Sequence, residues 1–213
     1  MSEKLNHLYS KKEEFLNILT HGFGLLLSVI ALPFLVLKSF NYPTVWQHLS
    51  LVIYGLSLIV LYAASTFYHA AKKPNVRRKL NIFDHAAIYV LIAGSYSPFC
   101  LIALPEKLGW QMFIAVWIFA LSGVILKLFF TGKFDKISTA LYILMGWQVM
   151  FFIKPLMVSL SESAFFYLVA GGISYTIGAI LYSINKLPYN HAIFHVFVLG
   201  GSFFHFMAIY FHL

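Results

Sequence analysis

Two of the nine histidines in this chain open its last apolar run. His191 and His195, in His191-Ala192-Ile193-Phe194-His195, stand four residues apart. On a helix they share one face, one turn above the other. Neutral imidazole is a ligand suited to zinc, so the pair can hold part of a metal's coordination shell. A catalytic zinc needs about three protein ligands and the pair supplies two. The same residues also fit a plainer reading, two histidines at a membrane interface making ordinary hydrogen bonds. The positions of the other polar residues inside apolar runs decide between them.

Of 213 residues, 61% are hydrophobic and 10% charged, and the mean hydropathy is +0.82. A soluble domain of this length cannot hide so much apolar surface, which makes the chain an integral membrane protein. Runs of about 20 apolar residues cross the hydrocarbon core, and seven candidates follow one another: 15–37, 46–69, 82–103, 110–130, 138–153, 164–184 and 191–213. The expected fold class is all-α, a seven-transmembrane helix bundle. It comprises a polar N-terminal segment, 1–14, and one membrane domain, 15–213. The fifth run is the shortest and is expected to end at Lys154-Pro155. Gly171-Gly172 and Gly200-Gly201 suit close helix approach in lipid. The single cysteine, Cys100, leaves no internal disulfide and reads as a small packing residue.

The net charge of +8 does not indicate nucleic acid, because the basic residues lie in short connectors where they set topology and meet anionic lipid. One side of the expected bundle holds Lys4, Lys11, Lys12, Lys72, Lys73, Arg77, Arg78, Lys79, Lys127, Lys133, Lys136 and Lys186, twelve of the fifteen lysines and arginines. Lys38, Lys107 and Lys154 fall on the other. The positive-inside rule then places the N-terminus in the cytoplasm and the C-terminus outside.

This threading brings the ionisable groups of three spans to one depth. His69 ends the second span, Asp84 begins the third, and His191 and His195 begin the seventh, all at the cytoplasmic end. Asp84 is the one acidic residue within the expected spans. Ionisable groups in spans face the bundle interior and mark a site, since charge facing lipid is costly. Ser65 lies one turn before His69 on the same face. Three imidazoles make a zinc site of the catalytic kind, with a fourth position left for water whose pKa falls to about 7. Asp84 could take the proton of that water, and Ser65 could steady an oxyanion. A metal-free cluster of hydrogen-bonded histidines and a His–Asp proton relay are the competing readings. His21 lies near the start of the first span and reads as an interfacial hydrogen-bonding residue or a neighbour of the site. His85 points about 100° away from Asp84 around the helix and is not an expected ligand. His205, His212 and His48 lie too far toward the outer side.

The segments Ser65-Thr66-Phe67-Tyr68-His69, Phe83-Asp84-His85 and His191-Ala192-Ile193-Phe194-His195, with Phe204-His205-Phe206 beyond, resemble the progestin and adipoQ receptor superfamily. Thr20-His21-Gly22 and the short length point to its bacterial, hemolysin III-related branch. The resemblance spans nearly the whole chain. It implies a seven-helix bundle with the N-terminus inside and zinc near the cytoplasmic face. In the adiponectin receptors three histidines hold the metal, matching His69, His191 and His195. An aspartate contacts the zinc-bound water, matching Asp84, and the motif serine matches Ser65. Those receptors are linked to ceramide hydrolysis, and the bacterial branch to membrane-lipid homeostasis and, by name, to hemolysis. The long terminal regions of the animal receptors have no counterpart here, so hormone binding is not expected.

The function expected from residues and resemblance together is a zinc-dependent intramembrane hydrolase of a lipid amide or ester, in a bacterial plasma membrane, with membrane lipids as partners. The alternatives are a cytolytic, pore-forming hemolysin and a non-enzymatic membrane sensor with structural zinc. A retinal protein is excluded by the absence of a lysine within the seventh span.

Overall fold

Within hydrocarbon each backbone N–H and C=O must find its partner inside its own segment, so apolar runs of this length become helices. The computed structural model describes residues 9–132, 134–184 and 186–213. Residues 1–8, the greater part of the expected N-terminal segment, lie outside the described residues. The elements are α1 (Lys11–Ser39), α2 (Val45–Ala70), α3 (Pro74–Pro98) with a π turn Phe99–Ala103, α4 (Glu106–Phe130), α5 (Asp135–Gly146), a 3₁₀ segment Trp147–Phe152, α6 (Ile153–Ser159), α7 (Glu162–Tyr182) and α8 (Asn190–His212). All described elements are helical, and together they give seven helices long and apolar enough to span a membrane. Helix ends follow local chemistry. The hydroxyl of Ser10 accepts from the Glu13 N–H at the start of α1, and Thr44 and Gln47 form a reciprocal capping box at the start of α2.

α2 packs between α1 and α3, α1 also meets α8, and α8 packs along α7. α4 lies against α3, while α5 touches α3 and α7. α3 is the central helix. It buries Ala86, Ala87, Ala93, Gly94, Ser95 and Ser97, small side chains that let neighbouring backbones approach. Of the two glycine pairs, Gly171 and both Gly200 and Gly201 sit in the α7–α8 contact. A Cβ on Gly171 would run into the His205 ring, and one on Gly201 would come within 2.6 Å of the Tyr175 ring. Gly172 has open space. Cys100 is buried and free, as a packing residue would be.

The fifth span departs from expectation. It does not stop at Lys154-Pro155; it runs from Ile137 to Ser159, with both residues inside α6. Its helix is broken instead at Gly146, where the 3₁₀ segment begins. Polar backbone freed inside a membrane needs a partner from elsewhere. Tyr96 of α3 supplies it: its hydroxyl donates to the Gly146 carbonyl at 2.5 Å and accepts from the Val149 N–H at 2.9 Å. The Trp147 indole N–H is held by Thr176 Oγ1 of α7 at 3.0 Å. α3 also starts eight residues before the expected third span, at Pro74, because a proline at the first helical turn lacks only an N–H that would go unpaired anyway. At its other end Pro98 removes a backbone donor, and the π turn follows.

Candidate metal centre and its cavity

His69 sits in the last turn of α2, and His191 and His195 occupy the first turns of α8. All three are buried, and one ring nitrogen from each lies within 4.8 Å of the others. The expected triad is therefore assembled as a group that can hold a metal ion. Just before α8, Tyr189 adopts a left-handed backbone with φ 56°, a conformation that bulky residues rarely take. The neighbouring Asn190 side chain donates to the Tyr182 carbonyl at 2.9 Å and fastens this turn to α7.

The outer ring nitrogens of the triad are all engaged from the α1 side. Glu14 Oε2 lies 2.7 Å from His69 Nδ1, and the Asn17 amide lies 3.4 Å from the same nitrogen. The Tyr9 hydroxyl lies 3.0 Å from His191 Nδ1, and Thr20 Oγ1 lies 3.3 Å from His195 Nδ1. A carboxylate can only accept, so His69 Nδ1 carries the proton. Thr20 gives its own hydroxyl proton to the Leu16 carbonyl at 2.8 Å, so it accepts from His195 Nδ1. These bonds leave Nε2 as the free lone pair of His69 and of His195. His69 Nε2 then points at His191 Nε2 across 3.1 Å, a contact that needs a cation or a proton to offset repulsion between lone pairs. Donation of the distal imidazole N–H to a carboxylate or other oxygen is the usual support of a metal-binding histidine. The donor set thus fits a metal with three imidazole ligands and an open position.

Glu14 also pairs with Arg77 of α3, whose guanidinium lies 4.8 Å from the Tyr68 ring centroid. Arg77, Glu14 and His69 form a chain running from the end of the bundle to the triad. Sequence reasoning missed Glu14, Asn17, Thr20 and Tyr9 as parts of the site. The signal was present, since Glu14, Asn17 and His21 are spaced by three and four residues and so share one face of α1. Glu14 was placed outside the first span, whereas α1 begins at Lys11 and carries it into the bundle.

His21 is buried, but the interfacial hydrogen bond expected of it does not form among the described residues, where neither ring nitrogen has a partner. Its ring stacks on His195 at 3.4 Å between centroids and meets Tyr62 edge-on. Asp84 is buried, close enough to His69 for electrostatic interaction. The Ser65 hydroxyl neighbours the Asp84 carboxyl but falls short of regular hydrogen-bond geometry. His85 stands outside the triad. His205 lies deeper in the bundle, His212 stacks near Tyr167 at the far end, and His48 is held by the Tyr42 carbonyl at 2.6 Å.

The triad does not stand alone. Asp84, His21, His191 and His195 line one end of a cavity of about 450 Å³. Its walls are mostly apolar: Leu61, Ile88, Ile92, Phe165, Leu168, Phe194 and Val198 from the packed helices, and Ile143, Met150 and Ile153 from the broken fifth span. His85, Ser138 and Thr139 line it too, and His205 reaches it from α8.

The family described as Haemolysin-III related matches residues 9–206. "Hemolysin-3" of Bacillus cereus is 44% identical over 213 residues, covering 100% of this chain and 97% of the relative. "Hemolysin-3 homolog" of Bacillus subtilis is 44% identical over 205 residues, 96% of each chain. Human "Monocyte to macrophage differentiation factor" is 28% identical over 207 residues, 93% of this chain and 83% of the relative. No solved structure matches. A match of this extent, on a seven-helix membrane bundle with histidines gathered at one end, settles the family: the chain is a multi-pass membrane protein of the Haemolysin-III related family.

Proposed function

We propose that the chain is a zinc-dependent intramembrane hydrolase that cleaves a lipid amide or ester and so adjusts membrane composition. One observation carries this reading: of the buried triad of His69, His191 and His195, the last two line a largely apolar cavity that Asp84 also lines. His69, His191 and His195 would hold the zinc, which would supply an acidified water and a Lewis acid for the carbonyl. The chain's own residues do the rest. Glu14, Tyr9 and Thr20 fix the imidazole rings from behind. The apolar wall takes the acyl chain and excludes water, which strengthens every electrostatic contact at the head. Asp84 accepts the proton of the attacking water and passes it to the leaving group. Ser65 donates to the oxyanion as charge develops. The metal end faces the cytoplasm in this reading, because the connectors at that end carry most of the lysines and arginines. Reporter fusions at the two termini check that orientation, and a cytoplasmic signal from the C-terminus overturns it.

The deciding comparison uses zinc-replete protein and a panel of labelled lipid amides and esters. Asp84→Asn should keep its metal and fold yet release fatty acid at least about 100-fold more slowly than wild type, the scale of a lost acid–base group. Equal background release from both proteins across the panel removes the hydrolase reading and leaves a sensor with structural metal. The name of the Bacillus cereus relative favours a second reading, cytolysis. Lysis of red cells by purified protein, undiminished in Asp84→Asn, would support it.

A further inference from the structure

We propose that Tyr9 is a gate for metal exchange at the triad. Its ring closes the end of the bundle over the histidines, and the site loads and empties only while that ring is swung away. This rests on reading the triad as a metal site, and not on the hydrolysis assigned to it. His69 is the next-to-last residue of α2 and His191 the second of α8. Side chains at the ends of spanning helices ordinarily meet water, yet His69 is 3% exposed and His191 5%. Three tyrosines cover them. Tyr68 lies 4.6 Å from His69 and Tyr182 5.3 Å from His191 between ring centroids. Tyr9 reaches both, at 5.8 Å from His69 and 4.9 Å from His191, with its hydroxyl 3.0 Å from His191 Nδ1.

The three covers differ in what holds them. Tyr68 belongs to α2 and Tyr182 to α7, and the Arg77 guanidinium lies over the Tyr68 ring at 4.8 Å. Tyr9 lies outside every helix, one residue before Ser10, whose hydroxyl caps α1. Rotation about the Ser10 backbone therefore moves the Tyr9 ring and leaves α1 wound. That motion gives up one hydrogen bond and the contacts of a single ring, a local opening well below the cost of unfolding. The opposite approach to the triad runs through the cavity, whose walls are mostly apolar. A divalent cation would have to shed its water along that stretch with no charge to replace it, which is prohibitive. Ions from water are thus confined to the end that Tyr9 closes.

The test is the rate at which metal-free, full-length protein takes up zinc, followed in stopped flow with a fluorescent zinc indicator. In wild type the rate should level off as free zinc rises, because the opening of Tyr9 becomes limiting. Tyr9→Ala should load at least about tenfold faster at that plateau, since the gating step is gone. Tyr9→Phe gives up the hydrogen bond and keeps the ring, and should stay within about fivefold of wild type, the scale of one net hydrogen bond. A residue that only orients His191 would speed zinc release and leave loading unchanged. Loading of Tyr9→Ala at the wild-type rate therefore overturns the gate, and so does Tyr9→Phe loading as fast as Tyr9→Ala. A wild-type rate that stays proportional to zinc throughout overturns it without any variant. Failure of wild type to bind zinc at all removes the triad reading and the gate together. Gated loading in a protein that hydrolyses no lipid upholds the gate and removes only the hydrolase.

Discussion

The third span buries 67% of its apolar window against its neighbours and the seventh 44%, whereas the fifth buries 17%. These helices face one another across the same cavity. At the metal end α2, α3 and α8 run as regular α-helices, the π turn Phe99–Ala103 lying at the opposite end of α3, and the chemistry-bearing rings are held by distinct oxygens from α1 and from Tyr9 just before it. On the fifth-span side the helix is interrupted for six residues, and one tyrosine hydroxyl mends the break. Ligands for a metal must hold position to fractions of an ångström, so they are drawn from packed, regular elements. A wall past which a lipid must enter is better built from an element with few neighbours, whose local opening costs little.

The sharpest way to break this comparison is to remove the triad. The double variant His191→Ala, His195→Ala should fall from about one zinc per chain to none, the content of a mononuclear site that has lost two ligands. Its melting temperature should fall to that of chelator-stripped wild type. Full zinc content in the purified double variant, read by atomic emission, would reassign the ligands. A smaller effect is expected behind the ligands. Glu14→Gln keeps the side-chain shape but removes the charge that holds the His69 Nδ1 proton and pairs with Arg77. Loss of such a supporting carboxylate lowers metal affinity by about 10- to 100-fold. Competition with a chromogenic chelator measures it, and an unchanged affinity means that Glu14 does not orient His69.

The two sides also differ in how legible they were. His69, Asp84, His191 and His195 stood out because ionisable groups are conspicuous within apolar runs, and counting spans brought them to one end. The seven helices were legible for the same reason, since length and hydropathy alone mark a span. What did not show was the support given by α1. Glu14 and Tyr9 read as ordinary residues of a polar lead-in, and nothing in hydropathy says that a helix begins before its apolar run does. The break at Gly146 was equally hidden. Lys154-Pro155 looked like a terminus because proline and a charge together end most spans, yet here the proline lies in the first turn of a fresh helix, where its missing N–H costs nothing. A break repaired by a hydroxyl fifty residues away in sequence, from Tyr96 to Gly146, leaves no local signal.

That repair supplies the mildest and most discriminating test. Tyr96→Phe changes one atom, keeps the ring's packing against Phe152 and leaves the triad untouched. It strips the Gly146 carbonyl of its donor and the Val149 N–H of its acceptor. In lipid neither group can turn to water, so the loss costs about 2 kcal/mol. It falls on the fifth span, which has few other contacts to share it. If the two walls are independent, the variant should keep its full zinc content and metal affinity. Its melting temperature should drop by a few degrees, and amide exchange should quicken within 146–152 while α8 stays protected. Exchange that rises equally in α8 would show that the loose wall and the metal end move as one unit. The division of labour between a rigid head and a yielding side would then be wrong.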